Sequence, residues 1–318
     1  MNKRKISRKK GGPSMEDVIV TYSVPHRDPF GFLIALFIAV TGLNAGSYLA
    51  SFIFACQGKR EFLPLAKFSG LVVLFLWAVA PILLLLDIGQ PLRFWHLFVY
   101  FDPRSPLAWG TLILSAYPFL ASLYLYHLFR EDLERARHWG FIGLPVALGS
   151  HAFAGFVLSF AQARILWSFS LTPVFFLLTA GLSGLALTVI YDAARYYLFL
   201  RRSPGAQARE RVIFRHLGEA LYLLIFANLG LILFYLVKVG ISPDLFQHVL
   251  TLTTAGKIGP ADFFLPLVLG LIAPLALLII PPTARRPWAQ SLASGCILWG
   301  NFSLGNFLLT AAQKLPLV

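Results

Sequence analysis

Eight long apolar segments constrain this chain more than any other feature of its sequence. A helix needs roughly 20 apolar residues to cross the hydrocarbon core of a bilayer, and each segment is about that long. The segments are Phe30–Phe54, Leu65–Leu86, Pro106–Phe129, Gly140–Phe160, Phe169–Tyr191, Leu217–Val237, Phe263–Ile280 and Ala289–Thr310. They do not alternate between polar and apolar residues, which excludes the strands of a membrane β-barrel. We therefore predict an all-α integral membrane protein with eight transmembrane helices.

The composition excludes two other classes of protein. Apolar residues make up 58% of the chain and charged residues 13%, with a mean hydropathy of +0.72, whereas a soluble domain carries roughly 25% charged residues. The net charge of +13 does not indicate nucleic-acid binding, because outside a basic N-terminal tail the basic residues lie between apolar segments. Cys56 and Cys296 are the only two cysteines, so we expect no iron–sulfur cluster and no metal site within this chain.

The charges between the segments predict the topology. An even number of spans puts both ends of the chain on one side of the bilayer, here called side A, together with the connection at 87–105. The opposite side B carries the arginine-rich connection at 192–216. Without the N-terminal tail, side B has twice as many Lys and Arg residues as side A. The positive-inside rule then makes side B cytoplasmic and places side A, with both termini, outside.

A faint internal repeat divides the chain into two halves. Gly42–Ala45 in the first span resembles Gly181–Gly184 in the fifth, which predicts two four-helix bundles related by an axis along the membrane normal. The chemistry is expected in the first half, which has His151 where the second half has Phe302. The resulting domains are a basic N-terminal tail and pre-helix segment at 1–29, a first four-helix bundle at 30–160 and a second one at 161–318.

Two polar residues lie in the middle of the first span. Asn44 and Ser47 are one turn apart and share a face of the helix, with Gly42 and Gly46 beside them. Polar groups inside a membrane are costly, which makes each of them a candidate functional residue. A seam of small residues in which Asn44 bonds a neighbouring helix explains the pattern equally well.

His151 lies within the fourth span, ~13 Å from its side-A end at ~1.5 Å per residue. A core histidine bonded to a backbone carbonyl is the simpler interpretation. Haem ligation would need a second histidine at a similar depth on a facing helix, and no histidine in the sequence matches that position well. We therefore expect no b-type haem and keep His151 as a candidate ligand-binding residue.

The connection between the second and third spans is crowded with charged and aromatic residues, including Asp87, Arg93, Trp95 and His96. A salt bridge from Asp87 to Arg93 could simply fix the loop, and Trp95 could belong to an interfacial aromatic belt. We favour a binding site, because acidic, basic and imidazole groups lie together in this connection, at the side-A end of the spans that carry the intramembrane polar residues. A flat, mostly apolar ligand with two polar oxygens would suit such a pocket.

One further acidic residue lies near side B. Glu219 is just inside the sixth span, and Tyr222 follows it by one turn. An ion pair or a snorkelling side chain at the interface is one interpretation, and a proton route from side B is the alternative.

Several motifs resemble one known family. The run Leu86–Phe98, followed by Ser105–Gly110, resembles the signature of the NrfD/polysulfide-reductase membrane subunits. His151–Phe156 and Trp167–Phe175 resemble that family's fourth-helix motif and the start of its fifth helix. The likeness covers most of residues 30–310 and is strongest over 83–184. Two departures stand out, since Gln90 replaces an arginine of many relatives and Phe153 replaces a tyrosine.

The resemblance implies an eight-helix anchor in a prokaryotic cell membrane, with no haem or iron–sulfur cluster of its own. It implies that the chain oxidises a quinol or reduces a quinone, with menaquinone as the expected quinone. The implied partners are a ferredoxin-like iron–sulfur subunit, which would dock on side A, and a molybdopterin-type catalytic subunit.

The family's quinone site maps onto the candidate residues already named. His151 and Asn44 would contact the quinone oxygens, with Ser47 beside them. Asp87 and His96 would orient the quinone or relay protons. Arg93 and Trp95 would fix the loop and contact the quinone. Glu219 and Tyr222 would form a proton route. Two rival functions stay open: a secondary transporter built from parallel four-helix repeats, and a structural anchor that binds no ligand.

Overall fold

A computed structural model describes residues 30–87, 91–93, 95–160, 167, 170–200, 204–254, 259–280 and 286–314. Within these ranges eight helices are long and apolar enough to cross a membrane, and all the regular elements are helical. The predicted all-α, eight-span fold is confirmed.

Four of the spans form the first helix group. Its elements are α1 (Phe32–Gln57), α2 (Leu63–Asp87), a 3₁₀ turn (Pro91–Arg93), the short α3 (His96–Val99), α4 (Pro106–Phe129) and α5 (Leu133–Ser159). Helix α1 packs against α2 and α5, and α4 contacts both α2 and α5. The four long helices therefore surround one interior, into which α1 directs its polar residues.

The other four spans form the second helix group. Its elements are α6 (Thr172–Arg195), a π-helical turn (Tyr196–Leu200), α7 (Pro204–Ile241), α8 (Pro243–Thr254), α9 (Pro260–Leu267), a second π turn (Val268–Ile272), α10 (Ala273–Ile279) and α11 (Pro287–Lys314). Helices α9 and α10 make a single span that the π turn interrupts. Helix α6 packs against α7 and α11, and α10 contacts the same two helices, so the contacts are consistent with two groups of four.

Two helices extend well beyond the predicted apolar segments. Helix α5 begins at Leu133 rather than Gly140, and α7 begins at Pro204 rather than Leu217. The Asp132 side chain caps α5 by accepting a hydrogen bond from the Arg135 backbone N–H at 3.3 Å, which satisfies one of the free donors at a helix start. Both extensions are polar, so a search for apolar length finds only the part of each helix inside the bilayer.

The two helix groups meet where α1 crosses α6. A Cβ atom added at Gly46 would lie 1.8 Å from the carbonyl oxygen of Ala180, and one at Gly184 would lie 2.0 Å from the carbonyl carbon of Gly46. The backbones are in direct contact, as in the small-residue crossings of other membrane helices. This crossing holds α1 between the two groups.

A solvent-exposed ion pair connects two elements on side B. Lys67 Nζ lies 2.7 Å from Glu131 Oε1 and joins α2 to the turn between α4 and α5. The hydrogen bond from Lys67, and then its charge, hold the pKa of Glu131 below its usual value. The contribution of the pair to stability is present above the usual pKa of Glu131 and is lost as the pH falls through the lowered one. Because the pair is exposed, that contribution is small.

Candidate functional site

Four buried polar side chains from α1 and α5 form what we call the polar cluster. Thr41, Asn44 and Ser47 follow one another at three-residue spacing on α1, which places them on one side of the helix. His151 projects from α5, and the exposed fractions of all four residues lie between 1% and 5%. At ~1.5 Å per residue, Thr41, Asn44 and His151 lie ~12–18 Å inside the side-A ends of their helices. Thr41, Asn44 and His151 therefore lie in the half of the bilayer toward side A, and Ser47, ~22 Å from that end, lies near the middle.

The imidazole of His151 joins three helices. Its Nδ1 lies 3.2 Å from the Thr41 hydroxyl on α1, and its ring packs against that of Phe176 on α6, with centroids 5.3 Å apart. Gly42 makes room for the ring, because a Cβ there would lie 2.8 Å from the imidazole Cε1. His151 is thus a buried histidine at the junction of α1, α5 and α6 that is paired with a threonine hydroxyl.

The amide of Asn44 is held from two sides. Its Nδ2 donates to the carbonyl oxygen of Val73 on α2 at 3.1 Å, and its Oδ1 accepts a hydrogen bond from the Tyr117 hydroxyl on α4. A primary amide has two N–H donors and two acceptor lone pairs, so one of each is still available. The amide is therefore oriented by the helices and can still bind a ligand.

Ser47 has the most available hydroxyl of the cluster. Its Oγ is buried and has no hydrogen-bond partner among the described residues. Leaving a buried polar group without a partner costs about 1–3 kcal/mol, and most such groups in native proteins are paired. This hydroxyl is consequently suited to bind the oxygen of a ligand.

Sequence reasoning missed Thr41 and Tyr117. Tyr117 is 3% exposed and lies ~17 Å inside the side-A end of α4, far from the interface where membrane tyrosines concentrate. The depth of Tyr117 within the third predicted span could have marked it as a candidate site residue. The polar face of α1 also continues toward side B, where the Tyr48 hydroxyl donates to Gly140 O at 3.3 Å and Ser51 Oγ lies 2.8 Å from the Tyr124 hydroxyl.

The predicted loop residues lie at the surface on side A. Arg93 ends the 3₁₀ turn and Asp87 ends α2, and both are exposed. The ring of Trp95 packs edge-on against that of His96, with centroids 4.1 Å apart. Nearby, the Trp109 indole donates to Pro103 O at 2.9 Å, so this connection has defined internal contacts.

The structure brings together only part of the predicted site. Asn44 and Ser47 lie on one face of α1, and His151 meets that helix at Thr41, but no hydrogen bond, ion pair or ring contact among the described residues joins the loop residues to any of them. The loop residues in question are Asp87, Arg93, Trp95 and His96. No described ion pair links Asp87 to Arg93 either. The expectation about Gln90 falls outside the described residues.

Phe153, the second departure from the family pattern, fills space between two helices. A Cβ added at Gly110 on α4 would lie 2.3 Å from the Phe153 ring. The ring therefore packs directly against the backbone of α4, and it offers no hydroxyl to a ligand.

Glu219 and Tyr222 lie apart from the polar cluster, on α7 in the second helix group. Glu219 Oε1 accepts a hydrogen bond from Arg215 Nε at 2.9 Å, and its other oxygen lies 3.6 Å from His216 Nδ1. Helix α7 packs mainly against α6 and α10. The ion pair anticipated at this interface is present, and a proton route through these residues stays a prediction.

The polar cluster offers an imidazole, an amide and two hydroxyl groups in an apolar surrounding. Such groups can donate to or accept from a ligand that carries two oxygens on a flat ring. Within the described ranges, no three His, Cys, Asp or Glu side chains are close enough to hold a metal ion.

Comparison with known proteins points to one family. The family model described as polysulphide reductase, NrfD, matches residues 22–316. The chain is 26% identical to a selenate reductase subunit of Mesobacillus selenatarsenatis, with 64% of this chain and 55% of the relative covered. It is 29% identical to the Hdr-like menaquinol oxidoreductase integral membrane subunit of Archaeoglobus fulgidus, with 81% and 64% covered.

A third relative is a polysulfide reductase chain of Wolinella succinogenes, which is 26% identical over 48% of this chain and 55% of the relative. The matches span between 55% and 64% of the length of these three relatives.

Proposed function

The chain belongs to the polysulphide reductase NrfD family, and we propose on that premise that it is the membrane anchor subunit of a respiratory oxidoreductase. It oxidises a membrane quinol, or reduces a quinone, and exchanges electrons with an iron–sulfur partner subunit. A molybdopterin-type catalytic subunit completes the complex. The name of the Archaeoglobus relative includes menaquinol, which supports menaquinone as the quinone of this chain.

The observation that carries this proposal is the polar cluster. Asn44 and Ser47 are buried on one face of α1, His151 is buried where α5 contacts that helix at Thr41, and the Ser47 hydroxyl has no partner among the described residues. The ring oxygens of a quinone need two or three hydrogen-bonding groups in an otherwise apolar pocket. The Ser47 hydroxyl and the remaining donor and acceptor of the Asn44 amide meet that need.

A quinol supplies two electrons and two protons when it is oxidised. His151 is the proposed acceptor for one proton, because an imidazole is the side chain best suited to take a proton near neutral pH. Thr41 holds the ring in position through the 3.2 Å contact with Nδ1. The second proton is proposed to leave toward side A through Asp87 and His96. The electrons leave toward side A, where the partner's clusters would lie.

The other predicted residues have supporting roles in this proposal. Asp87 and His96 pass protons between the polar cluster and side A. Arg93 and Trp95 hold the connection over the bound ring. Glu219 and Tyr222 open a route from side B. Side A is external, as the distribution of basic residues predicts.

Replacing Asn44 with leucine tests the binding site. The leucine removes the amide that is proposed to bond a quinone oxygen, so the Kd for a short-chain naphthoquinone should rise about tenfold or more. It also leaves the Tyr117 hydroxyl and the Val73 carbonyl without their partner. The measurement is a binding titration on the purified protein.

Ser69→Ala is the matched control for this titration. It removes a different buried hydrogen bond, the 2.9 Å contact between Ser69 and Thr188 that joins α2 to α6, and it should bind the naphthoquinone like the wild type. Unchanged binding by the Asn44→Leu protein would contradict the site. No binding by the wild-type protein would favour the structural anchor.

The connection on side A offers a surface for the iron–sulfur partner. Leu92, Val99 and Tyr100 lie outside the spanning helices with exposed fractions of 88%, 62% and 75%. Exposed apolar and aromatic side chains of this kind mark protein interfaces. We propose that these three residues, here called the docking patch, contact the partner.

Tyr100→Asp is expected to reduce the amount of iron–sulfur subunit that co-purifies with the tagged chain by about tenfold. An aromatic residue that a partner buries often dominates the interface. The yield is measured by quantitative mass spectrometry after mild solubilisation. Gln247→Asp adds the same charge to an exposed position of α8 on the same side and should leave the yield unchanged. Equal yields from the two variants would place the partner elsewhere.

A further inference from the structure

A cleft runs along the second helix group between α9 and α11. Its volume is about 450 Å³, and its lining includes Trp299, Phe302, Ser303 and Asn306 of α11 together with Asp262 and Leu265 of α9. It lies on different helices from the polar cluster.

A close helix contact explains why the cleft forms. A Cβ added at Gly300 would lie 2.3 Å from the Cα atom of Gly270, so α11 touches the backbone of the π turn that follows α9. The cleft begins next to this contact, at Pro266 and Trp299, and reaches Lys314 at the end of α11. At ~1.5 Å per residue this stretch of α11 is ~22 Å long, which is long enough for a ring and the start of an isoprenoid chain.

The polar groups of the cleft lie deep within it. The Ser303 hydroxyl and the Asn306 amide line the cleft, and neither has a hydrogen-bond partner among the described residues. They are ~12–17 Å inside the side-A end of α11, within the hydrocarbon layer, where polar groups are costly unless they are bound. Trp299 and Phe302 stand beside them and offer flat apolar surfaces.

The mouth of the cleft does not select an anionic phospholipid headgroup. Asp262 and Lys314 both line it, and the Asp262 carboxylate accepts a hydrogen bond from the Gly259 backbone N–H at 3.0 Å. One acid and one base give no net positive charge to attract a phosphate. The neutral donors and acceptors, which would bind a neutral ring, lie two to three helical turns deeper than Lys314.

We infer that this cleft is a second binding site for an isoprenoid quinone or quinol. The ring lies against Trp299 and Phe302, its oxygens bond to Ser303 and Asn306, and its chain leaves along α11. The inference rests on the proposed quinone chemistry and adds a site in the half of the chain that lacks His151. Among the described residues no imidazole lines the cleft, and its acid stands at the mouth, so this site holds the ring without taking its protons.

A stoichiometric titration of the purified complex in quinone-free nanodiscs tests the inference, with a short-chain naphthoquinone as the probe. The wild-type complex should bind two equivalents. The double variant Ser303→Ala with Asn306→Leu should keep one equivalent and bind the second about tenfold more weakly. The retained equivalent also shows that the variant is folded. Ser115→Ala, at a half-buried serine of α4, is the control and should bind both.

The outcomes separate this inference from the proposed function. A single equivalent that Asn44→Leu weakens and the double variant does not would overturn the second site and leave the first intact. The absence of any binding would remove both. If the double variant instead loses a phospholipid detected by native mass spectrometry and keeps two equivalents of naphthoquinone, the cleft is a lipid site and the inference is wrong.

Discussion

Replacing His151 with phenylalanine is expected to lower the rate of quinol oxidation by the purified complex about 100-fold or more, because a positioned general base contributes a factor of that order. The phenylalanine keeps a ring between Gly42 and Phe176 but removes both ring nitrogens. The hydroxyl of Thr41 keeps a partner, since it also lies 3.0 Å from the Ile38 carbonyl oxygen. The measurement is steady-state oxidation of a reduced naphthoquinone, with kcat and KM determined separately.

Two further variants distinguish loss of the proton acceptor from loss of structure. His151→Gln can still hydrogen-bond Thr41 but cannot carry a proton, so we expect it to bind the quinone and to turn over as slowly as His151→Phe. Ser69→Ala should behave like the wild type. Full turnover by His151→Gln would show that the imidazole only positions its neighbours, which contradicts its role as proton acceptor.

Replacing Gly46 with alanine is expected to lower the free energy of unfolding by about 3 kcal/mol, the upper part of the usual range for an overpacked contact. The added methyl group would lie 1.8 Å from the carbonyl oxygen of Ala180. A backbone carbonyl in a packed helix cannot move aside as a flexible side chain can, so α1 and α6 must separate. Thermal unfolding in mild detergent measures the effect, with size-exclusion chromatography to detect aggregates.

Gly149→Ala and Gly230→Ala are matched controls for the Gly46 variant. Both glycines are helical, and no atom lies within 4 Å of a Cβ placed at either position. Alanine favours a helix over glycine by about 1 kcal/mol, so both controls should be as stable as the wild type or slightly more stable. If Gly46→Ala unfolds at the same temperature as the controls, the backbone contact between α1 and α6 is absent.

The spans could be predicted from the sequence because the bilayer sets a length requirement that soluble proteins lack. The starts of α5 and α7 could not, since Leu133–Trp139 and Pro204–His216 continue their helices in polar sequence outside the hydrocarbon. There the caps and local hydrogen bonds determine where the helix begins, as Asp132 does for α5. The assignment of domains to 1–29, 30–160 and 161–318 stays a prediction.

The candidate site was predictable to the extent that burial of a polar group is rare in a membrane. Asn44, Ser47 and His151 stood out for that reason, and the structure places them together. Thr41 did not, because a threonine in a helix commonly bonds its hydroxyl to a carbonyl of the preceding turn and needs no functional explanation. Tyr117 did not either, since its ring suits an apolar span.

The loop residues show a different limit of sequence reasoning. Asp87, Arg93, Trp95 and His96 are close in sequence to the end of α2, but closeness along the chain says little about distance from a cluster inside the bilayer. Their roles in proton transfer and in covering the ring therefore stay proposals. The docking patch was not predicted residue by residue, because exposure is a property of the folded loop.

The most direct test of the central claim is electron transfer between a quinol and a partner of this chain. The tagged chain is purified anaerobically from its native membrane with its partners, menaquinol is added, and the iron–sulfur signals are followed by electron paramagnetic resonance. We predict that the signals change rapidly with the wild-type complex and about 100-fold more slowly with the His151→Phe complex. A chain that purifies alone and instead carries a solute into liposomes, or clusters that do not exchange electrons with the quinone pool in either direction, would contradict the account.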